Sequence, residues 1–137
     1  MTGLVLEIVT PDSHSRWENV DMVTLPGMEG ELGIYPNHVP LMTQIIPGEV
    51  VIKKGSEEIL VAIGEGFVEI TAGRVAIMTD MAISANDIDE AKAEEARRKA
   101  EALLQQKLSD EEIAAANATL SKSLAQLKIK RRARKSI

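Results

Sequence analysis

Cysteine is absent from the 137-residue chain, so neither a disulfide nor a thiolate-bound metal is available to it. Such a chain suits a reducing compartment. Aromatic residues are nearly missing, with Trp17, Tyr35 and Phe67 the single representatives of their types. That is too few for the stacking platforms that hold single-stranded nucleic acid or sugars. The two histidines, His14 and His38, sit beside turn residues and are not spaced as metal ligands, which argues against zinc. No apolar run approaches the roughly 20 residues needed to cross a bilayer. The N-terminus also lacks the basic segment and apolar core of a signal peptide, so a soluble, unprocessed protein is expected.

What is present is an apolar fraction of 45%, enough for one modest core, which points to one domain with a small appendage. Charge is spread unevenly. Residues 1–84 hold 12 acids against 4 bases, residues 85–127 hold 9 against 6, and residues 128–137 hold 6 bases and no acid. A net-negative body repels nucleic acid, so the basic end better fits an acidic protein segment.

Up to residue 84, short runs rich in Val, Ile and Leu alternate with glycine-marked turns. Residues 3–10, 17–25, 41–46, 50–54, 58–64, 67–71 and 74–80 read as strands, with Gly48, Gly55, Gly64 and Gly73 between the later ones. Their spacing predicts eight to ten antiparallel strands in a β-sandwich. Pro26 to Gly30 reads as a turn. The stretch Gly30 to Pro40, with two glycines and two prolines, reads as a corner rather than a strand, rooted by Leu32, Ile34, Tyr35 and Val39 and rimmed by Glu31, Asn37 and His38.

From residue 85 the composition turns to Ala, Glu, Lys, Arg and Leu, predicting two helices in an antiparallel hairpin. Asn86 or Asp87 is expected to cap the first. Its stripe is Ile88, Ala91, Ala96, Ala100, Leu103 and Leu104. Ser109 and Glu112 form a capping box for the second, whose stripe is Ile113, Ala116, Leu120, Leu124 and Leu127. Both stripes are narrow and alanine-rich, so the hairpin is expected to be weakly held and able to open. Residues 128–135 continue the helix but carry too much charge for a core. The fold class is thus α+β in two parts, a sandwich over 1–84 and a helical hairpin with a basic tail over 85–137.

No Ser-His-Asp, Cys-His or paired-carboxylate arrangement is evident, and Gly30-Glu31-Leu32-Gly33 lacks the spacing and lysine of a phosphate loop. The chain is not expected to be an enzyme. His38 reads as a turn histidine bonded to nearby backbone. A free-standing sandwich that binds a small ligand, with an unrelated helical tail, is the alternative to a partner-binding module with a mobile arm.

The run from Pro26 through Gly30-Glu31-Leu32-Gly33-Ile34-Tyr35-Pro36-Asn37-His38 to Leu41, together with Gly64-Glu65-Gly66-Phe67-Val68-Glu69-Ile70 and Ile88-Asp89-Glu90-Ala91-Lys92-Ala93, resembles the epsilon subunit of bacterial rotary ATP synthases. The resemblance runs through essentially the whole chain. It implies a ten-stranded sandwich at the foot of the central stalk, touching the gamma subunit and the c-ring, with Glu31 toward the c-ring, His38 toward gamma, and Gly33 and Tyr35 in the same interface. It implies that the hairpin either folds on the sandwich or extends toward the alpha and beta subunits and hinders hydrolysis. In the extended state Lys122, Arg131, Arg132 and Arg134 would make the contacts, the arginines to an acidic segment of beta. Some relatives bind ATP as a regulatory ligand on the folded hairpin through an Ile/Leu-Asp-x-x-Arg-Ala pattern. Here Ile88, Asp89 and Ala93 match, but Lys92 replaces the arginine and loses its planar fork, so no cofactor is expected and any nucleotide contact is weak. The resemblance implies a peripheral protein on the cytoplasmic face of the bacterial inner membrane.

Overall fold

In a computed structural model, the backbone is described for residues 3–135 and the side chains for residues 3–132. Among these residues, ten strands lead into a short 3-10 turn and two helices. The strands are β1 (Leu4–Val9), β2 (His14–Val20), β3 (Met22–Gly27), β4 (Gly30–Ile34), β5 (Leu41–Ile45), β6 (Gly48–Lys54), β7 (Glu57–Ile63), β8 (Gly66–Thr71), β9 (Arg74–Thr79) and β10 (Ala82–Ser84). The 3-10 turn covers Ala85–Asp87, and the helices are α1 (Glu90–Leu104) and α2 (Asp110–Lys135).

The strands follow the order β10-β7-β6-β3-β5-β8-β9-β1-β2, with β4 on β3. β3 meets β5 at only one residue pair, Gly27 with Ile45. The path folds over there, so that β10, β7, β6, β3 and β4 face β5, β8, β9, β1 and β2. Side chains alternate as the period of two demands: Leu4, Leu6, Ile8, Val23, Leu25, Val50, Ile52, Val61, Ile63, Val68, Ile70, Val75 and Ile77 all point into one shared core.

Several local expectations change. Residues 17–25 do not form one strand, because the chain breaks at Asp21. Its carboxylate accepts a 2.7 Å bond from the Gly55 amide, while Asn19 takes a positive φ of 56°. Pro26 and Gly27 end β3 instead of making the turn, and Gly30–Ile34 is a strand, with Leu32 opposite Leu25 and Ile34 opposite Val23. Buried apolar partners outweigh the glycines there. β1 and β9 run parallel, since the chain must cross from one to the other through the rest of the sandwich. β10, too short to read from three residues, pairs with β7.

α1 begins later than the Asn86 or Asp87 cap would place it. Asp89 is the cap, accepting a 3.1 Å bond from the Lys92 amide, and residues 85–87 form the 3-10 turn instead. The Ser109–Glu112 box forms in both directions, at 3.1 and 3.2 Å. Near their connecting turn the helices leave a hollow of about 370 Å³, lined by Ala96, Ala100, Leu103, Leu108, Ala115 and Ala116 among others. Alanine stripes fill little space, so this end is loose. The other end is not: Ile129, in the stretch read as too charged for a core, is fully buried with Ala62, Ala85 and Ile88.

Candidate functional sites

The sandwich has two outer faces, and the chain treats them differently. On the β6–β7–β10 side, Glu49 lies opposite Ala62, Val51 opposite Leu60, and Ile83 opposite Ala62. Val51 and Ala62 are buried although they point away from the sandwich core. The runs Val50-Val51-Ile52 and Leu60-Val61-Ala62-Ile63 are continuous rather than alternating because this face is covered by α2.

The opposite face is open. Gln44, Phe67, Met78 and Val9 stand in one row across β5, β8, β9 and β1. Met42 lies two residues along from Gln44 on the same side of β5. Phe67 is 52% exposed and Met42 62%. Isolated apolar residues on a surface are ordinary, but here Phe67, Met78 and Val9 adjoin across three strands, with Met42 on the fourth. In a chain with one Phe and one Tyr, both are left in water, Tyr35 at 60% exposure. Sequence reasoning missed Val9, Met42 and Met78, although alternation against the buried Ile8, Ile45 and Ile77 on the same strands marks each as outward.

The corner beyond β4 adjoins this half through β5. Leu32 and Ile34 root it, whereas Tyr35 and Val39 are exposed, so the expected four-residue apolar root is two residues. A positive φ of 72° at Asn37 turns the chain, a conformation Asn tolerates better than most residues. His38 Nδ1 bonds the Val39 carbonyl at 2.6 Å, so the ring serves the turn locally. Glu31 and Tyr35 lie at opposite ends of β4, about 13 Å apart at the rise of a strand. Glu31 is exposed beside a hollow of about 320 Å³ that also involves Leu32, Leu41 and Thr43. Gly33 is exposed opposite Thr24, and a side chain there would press on Met22.

The arm cations lie on the chain's own acids. Lys122 pairs with Asp80 across a close approach. Arg131 reaches Glu90 at 3.5 Å and Glu94 at 3.4 Å, and Arg132 bonds Glu49 and also meets Glu58 at 3.3 Å. The side chain of Arg134 lies outside the described residues. A hydrogen bond from Arg97, offset in part by desolvation, holds the Glu94 carboxyl below its usual range. Of the residues matched to a nucleotide pattern, Ile88 is buried against Ile129 and Asp89 caps α1. Lys92 is exposed. No cluster of three potential metal ligands occurs among the described residues.

On β1, beside the edge strand β2, Glu7 is a buried charge held by three bases: His14 Nε2 at 3.1 Å, Arg74 at 2.8 Å and Arg16 at 3.6 Å. Burial pushes its carboxyl up, and the bonds from His14 and Arg74 more than offset this, leaving it below the ordinary value.

A ten-stranded sandwich carrying a helical hairpin that returns to cover one of its faces defines a two-module class of chain. Residues 3–85 match the beta-sandwich domain of the ATP synthase delta/epsilon chain, and residues 86–131 match its long alpha-helix domain. The chain belongs to the ATP synthase delta/epsilon family, and is thereby a subunit of that complex. It is 40% identical over 136 residues to an ATP synthase epsilon chain of Ralstonia nicotianae, covering 98% of both chains. It is 37% identical over 130 residues to that of Laribacter hongkongensis, covering 93% of both. Its fold is similar to a chain in a cryo-electron microscopy structure of the Euglena gracilis mitochondrial ATP synthase with F1 and c-ring, with a TM-score of 0.79, 24% identity, and coverage of 93% of this chain and 81% of that one. A chain from the central stalk and c-ring structure of the Tetrahymena thermophila enzyme superposes with a TM-score of 0.65 at 16% identity, covering 95% and 99%. None of the described helices is long and apolar enough to cross a membrane.

Proposed function

We propose that this chain is a non-catalytic rotor subunit in the central stalk of a proton-translocating ATP synthase, on the cytoplasmic face of a bacterial inner membrane. The sandwich attaches to the gamma subunit through the open face of β5, β8, β9 and β1. The observation that carries this is the row Phe67, Met78 and Val9, with Met42 beside it, left in water while the opposite face is covered. Aromatic and methionine side chains are enriched in the buried centres of protein interfaces. Glu31, at the far end of β4 from Tyr35 and His38, meets the polar loops of the c-ring. Tyr35 and His38 extend the gamma contact, and Gly33 lets the partner approach the backbone of β4.

The hairpin is the regulatory element. Folded on the sandwich, it leaves rotation free. Extended beside gamma, it brings Lys122, Arg131, Arg132 and Arg134 to the alpha and beta subunits and hinders rotation in the hydrolysis direction. The docked arm supports this reading, because its cations are held by ion pairs to acids of this chain, Asp80, Glu90, Glu94, Glu49 and Glu58, which acids of another subunit could replace. No regulatory nucleotide is needed, since Ile88 and Asp89 are engaged in packing and capping.

Removal of residues 87–137 tests both halves. The truncated sandwich should still come down with gamma from membranes and support proton-driven synthesis, while ATP hydrolysis by the assembled enzyme rises. Hydrolysis unchanged by the truncation would show that the arm is not inhibitory. Loss of the truncated sandwich from the complex would place the attachment in the helices.

A further inference from the structure

Residues 1–84 hold 12 acids against four bases, and two of those four, Arg16 and Arg74, stand together. The other two, Lys53 and Lys54, end β6 in the opposite half of the sandwich. Both arginines converge on one oxygen: Arg74 Nη2 lies 2.8 Å and Arg16 Nη1 3.6 Å from Glu7 Oε1, while His14 Nε2 meets Oε2 at 3.1 Å. The Glu7 side chain keeps 10% of its exposure, against 52% for Arg16 and 53% for Arg74. The acid is covered and the cations are not. Leu6 and Ile8 face the core, so Glu7 between them points to the open face. Arg16 lies opposite Glu7 on β2, His14 lies opposite Val9, and Arg74 on β9 lies opposite Val5. The cluster therefore continues the apolar row of Phe67, Met78 and Val9 toward the β2 edge.

A nearly buried carboxylate is tolerated only while cations face it, and here it holds two guanidiniums in fixed places. Their donors are far from exhausted. Arg16 divides itself between Glu7 and the exposed Glu18, and Arg74 makes its ion pair with Glu7 through one nitrogen of a fork that carries five N–H groups. Because Glu7 has already ordered these long side chains, a second acid that meets them loses less entropy in doing so. The planar fork matches a carboxylate. Glu69, exposed on β8 across Ala76 from Glu7, has the opposite sign to the arginines, so a uniformly acidic surface is repelled and one placed acid is favoured.

We propose that Arg74 and Arg16, positioned by Glu7, form a carboxylate seat: gamma lays one acidic side chain on these guanidiniums while its apolar surface covers Phe67, Met78 and Val9. The inference rests on the reading of the open face as the gamma contact, and adds the sign of the charge that gamma carries there. Apolar burial supplies affinity without direction. The seat fixes the orientation in which gamma sits on the sandwich.

The test is binding of the full chain to an alpha–beta–gamma complex stripped of it. Arg16→Gln with Arg74→Gln should weaken binding about thirtyfold, mainly through faster dissociation, the mark of a lost charge pair inside an interface. That variant also bares Glu7 to the incoming acid, so a triple variant adds Glu7→Gln. The triple variant should stay within about threefold of the double one, because the donors are still missing, and its affinity should depend less on salt than the parent's. A triple variant that binds like the parent would overturn the seat. Melting curves of the free variants separate loss of fold from loss of binding. A direct reading comes from Glu7→Gln with Arg74→Lys in the complex: a water-soluble carbodiimide should join the introduced amine to a carboxyl group of gamma, located by mass spectrometry. No cross-link to gamma, or one to a second copy of this chain instead, would also overturn it. Phe67→Ser with Met78→Ser keeps the two readings apart. Binding lost in that variant but kept in the triple one removes the seat and leaves the apolar contact, whereas the reverse removes the apolar contact and leaves the seat.

Discussion

Ile129 packs against Ala62 with no exposed surface, although it lies between Lys128 and Lys130 in the most cationic stretch of the chain. The two residues join the last helix to the outer face of β7, and they show that the arm is held by an apolar contact as well as by charge. The small side chain of Ala62 makes the space. Alanine in place of Ile129 should cost about 2–4 kcal/mol of docking, the usual range for emptying a buried site of this size. Amide hydrogen exchange checks this: protection should fall along the C-terminal half of α2 and stay unchanged in β8 and β9. Equal loss in both would mean the helix and sandwich unfold as one unit.

Gly64 sits where the Asp80 carboxylate and Lys122 converge. A side-chain carbon at this position would stand 1.9 Å from Asp80 Oδ1 and 3.1 Å from Lys122 Cε. Gly64→Ala should push Asp80 aside and separate it from Lys122, loosening the middle of α2 while the sandwich core stays intact. Crystallography or exchange at residues 119–126 would report it. An alanine variant with the Lys122–Asp80 pair preserved would show that the loop yields instead.

The open face gives an opposite pattern. Phe67→Ser with Met78→Ser should remove binding to gamma in co-purification, while the melting temperature of the free chain stays close to the parent's, since exposed side chains away from special contacts usually shift stability by less than about 0.5 kcal/mol. Retained binding would move the gamma contact away from this row.

Ser109 and Glu112 exchange two bonds at the start of α2. The Ser109 amide, donating to the Glu112 carboxyl, and secondly the Ser109 hydroxyl hold that carboxyl below its ordinary range. Replacing Ser109 by alanine should cost about 1 kcal/mol, the typical worth of such a cap, seen as fraying of the first turn of α2 in amide exchange. The loose hollow beside this turn means the effect should stay local.

The bonds from His14 and Arg74 hold the folded-state pKa of Glu7 below the ordinary carboxylate value of 4.5, so its share of stability is present above that pH and is lost as pH falls through the lower folded value. Glu94 and Glu112 are depressed in the same direction. Stability to denaturant should therefore be flat above pH 4.5 on their account and decline below it. Glu7→Gln should flatten part of that acid limb, and an unchanged slope would show that the Arg74 and His14 contacts do not persist in solution.

The β-strands were legible wherever one side faced the core, as in Leu4–Leu6–Ile8 or Val68–Ile70, because alternation records which side is wet. β4 was not, since its glycines outweighed two core residues in any local reading. The division of 17–25 depended on Asp21 and Gly55, residues 34 positions apart. Of the candidate site, the glycine- and proline-rich corner and the cationic tail stood out by composition, whereas Val9, Met42 and Met78 became a surface only when four strands were aligned. Ile129 looked misplaced among charges for the same reason: its partners on β7 and the 3-10 turn are distant in sequence.

By itself, the sequence determined the two-part plan, the capped start of the second helix, the lack of disulfide and thiolate chemistry, and membership of the family, because composition, periodicity and long specific runs are local properties of a chain. Tertiary structure decided which sandwich face is open, which acids the arm's cations occupy, and that Glu49 is partly covered by a helix whose Arg132 lies 83 residues away. Those outcomes depend on pairings between distant segments, and burial is a property of the neighbours a residue acquires rather than of the residue.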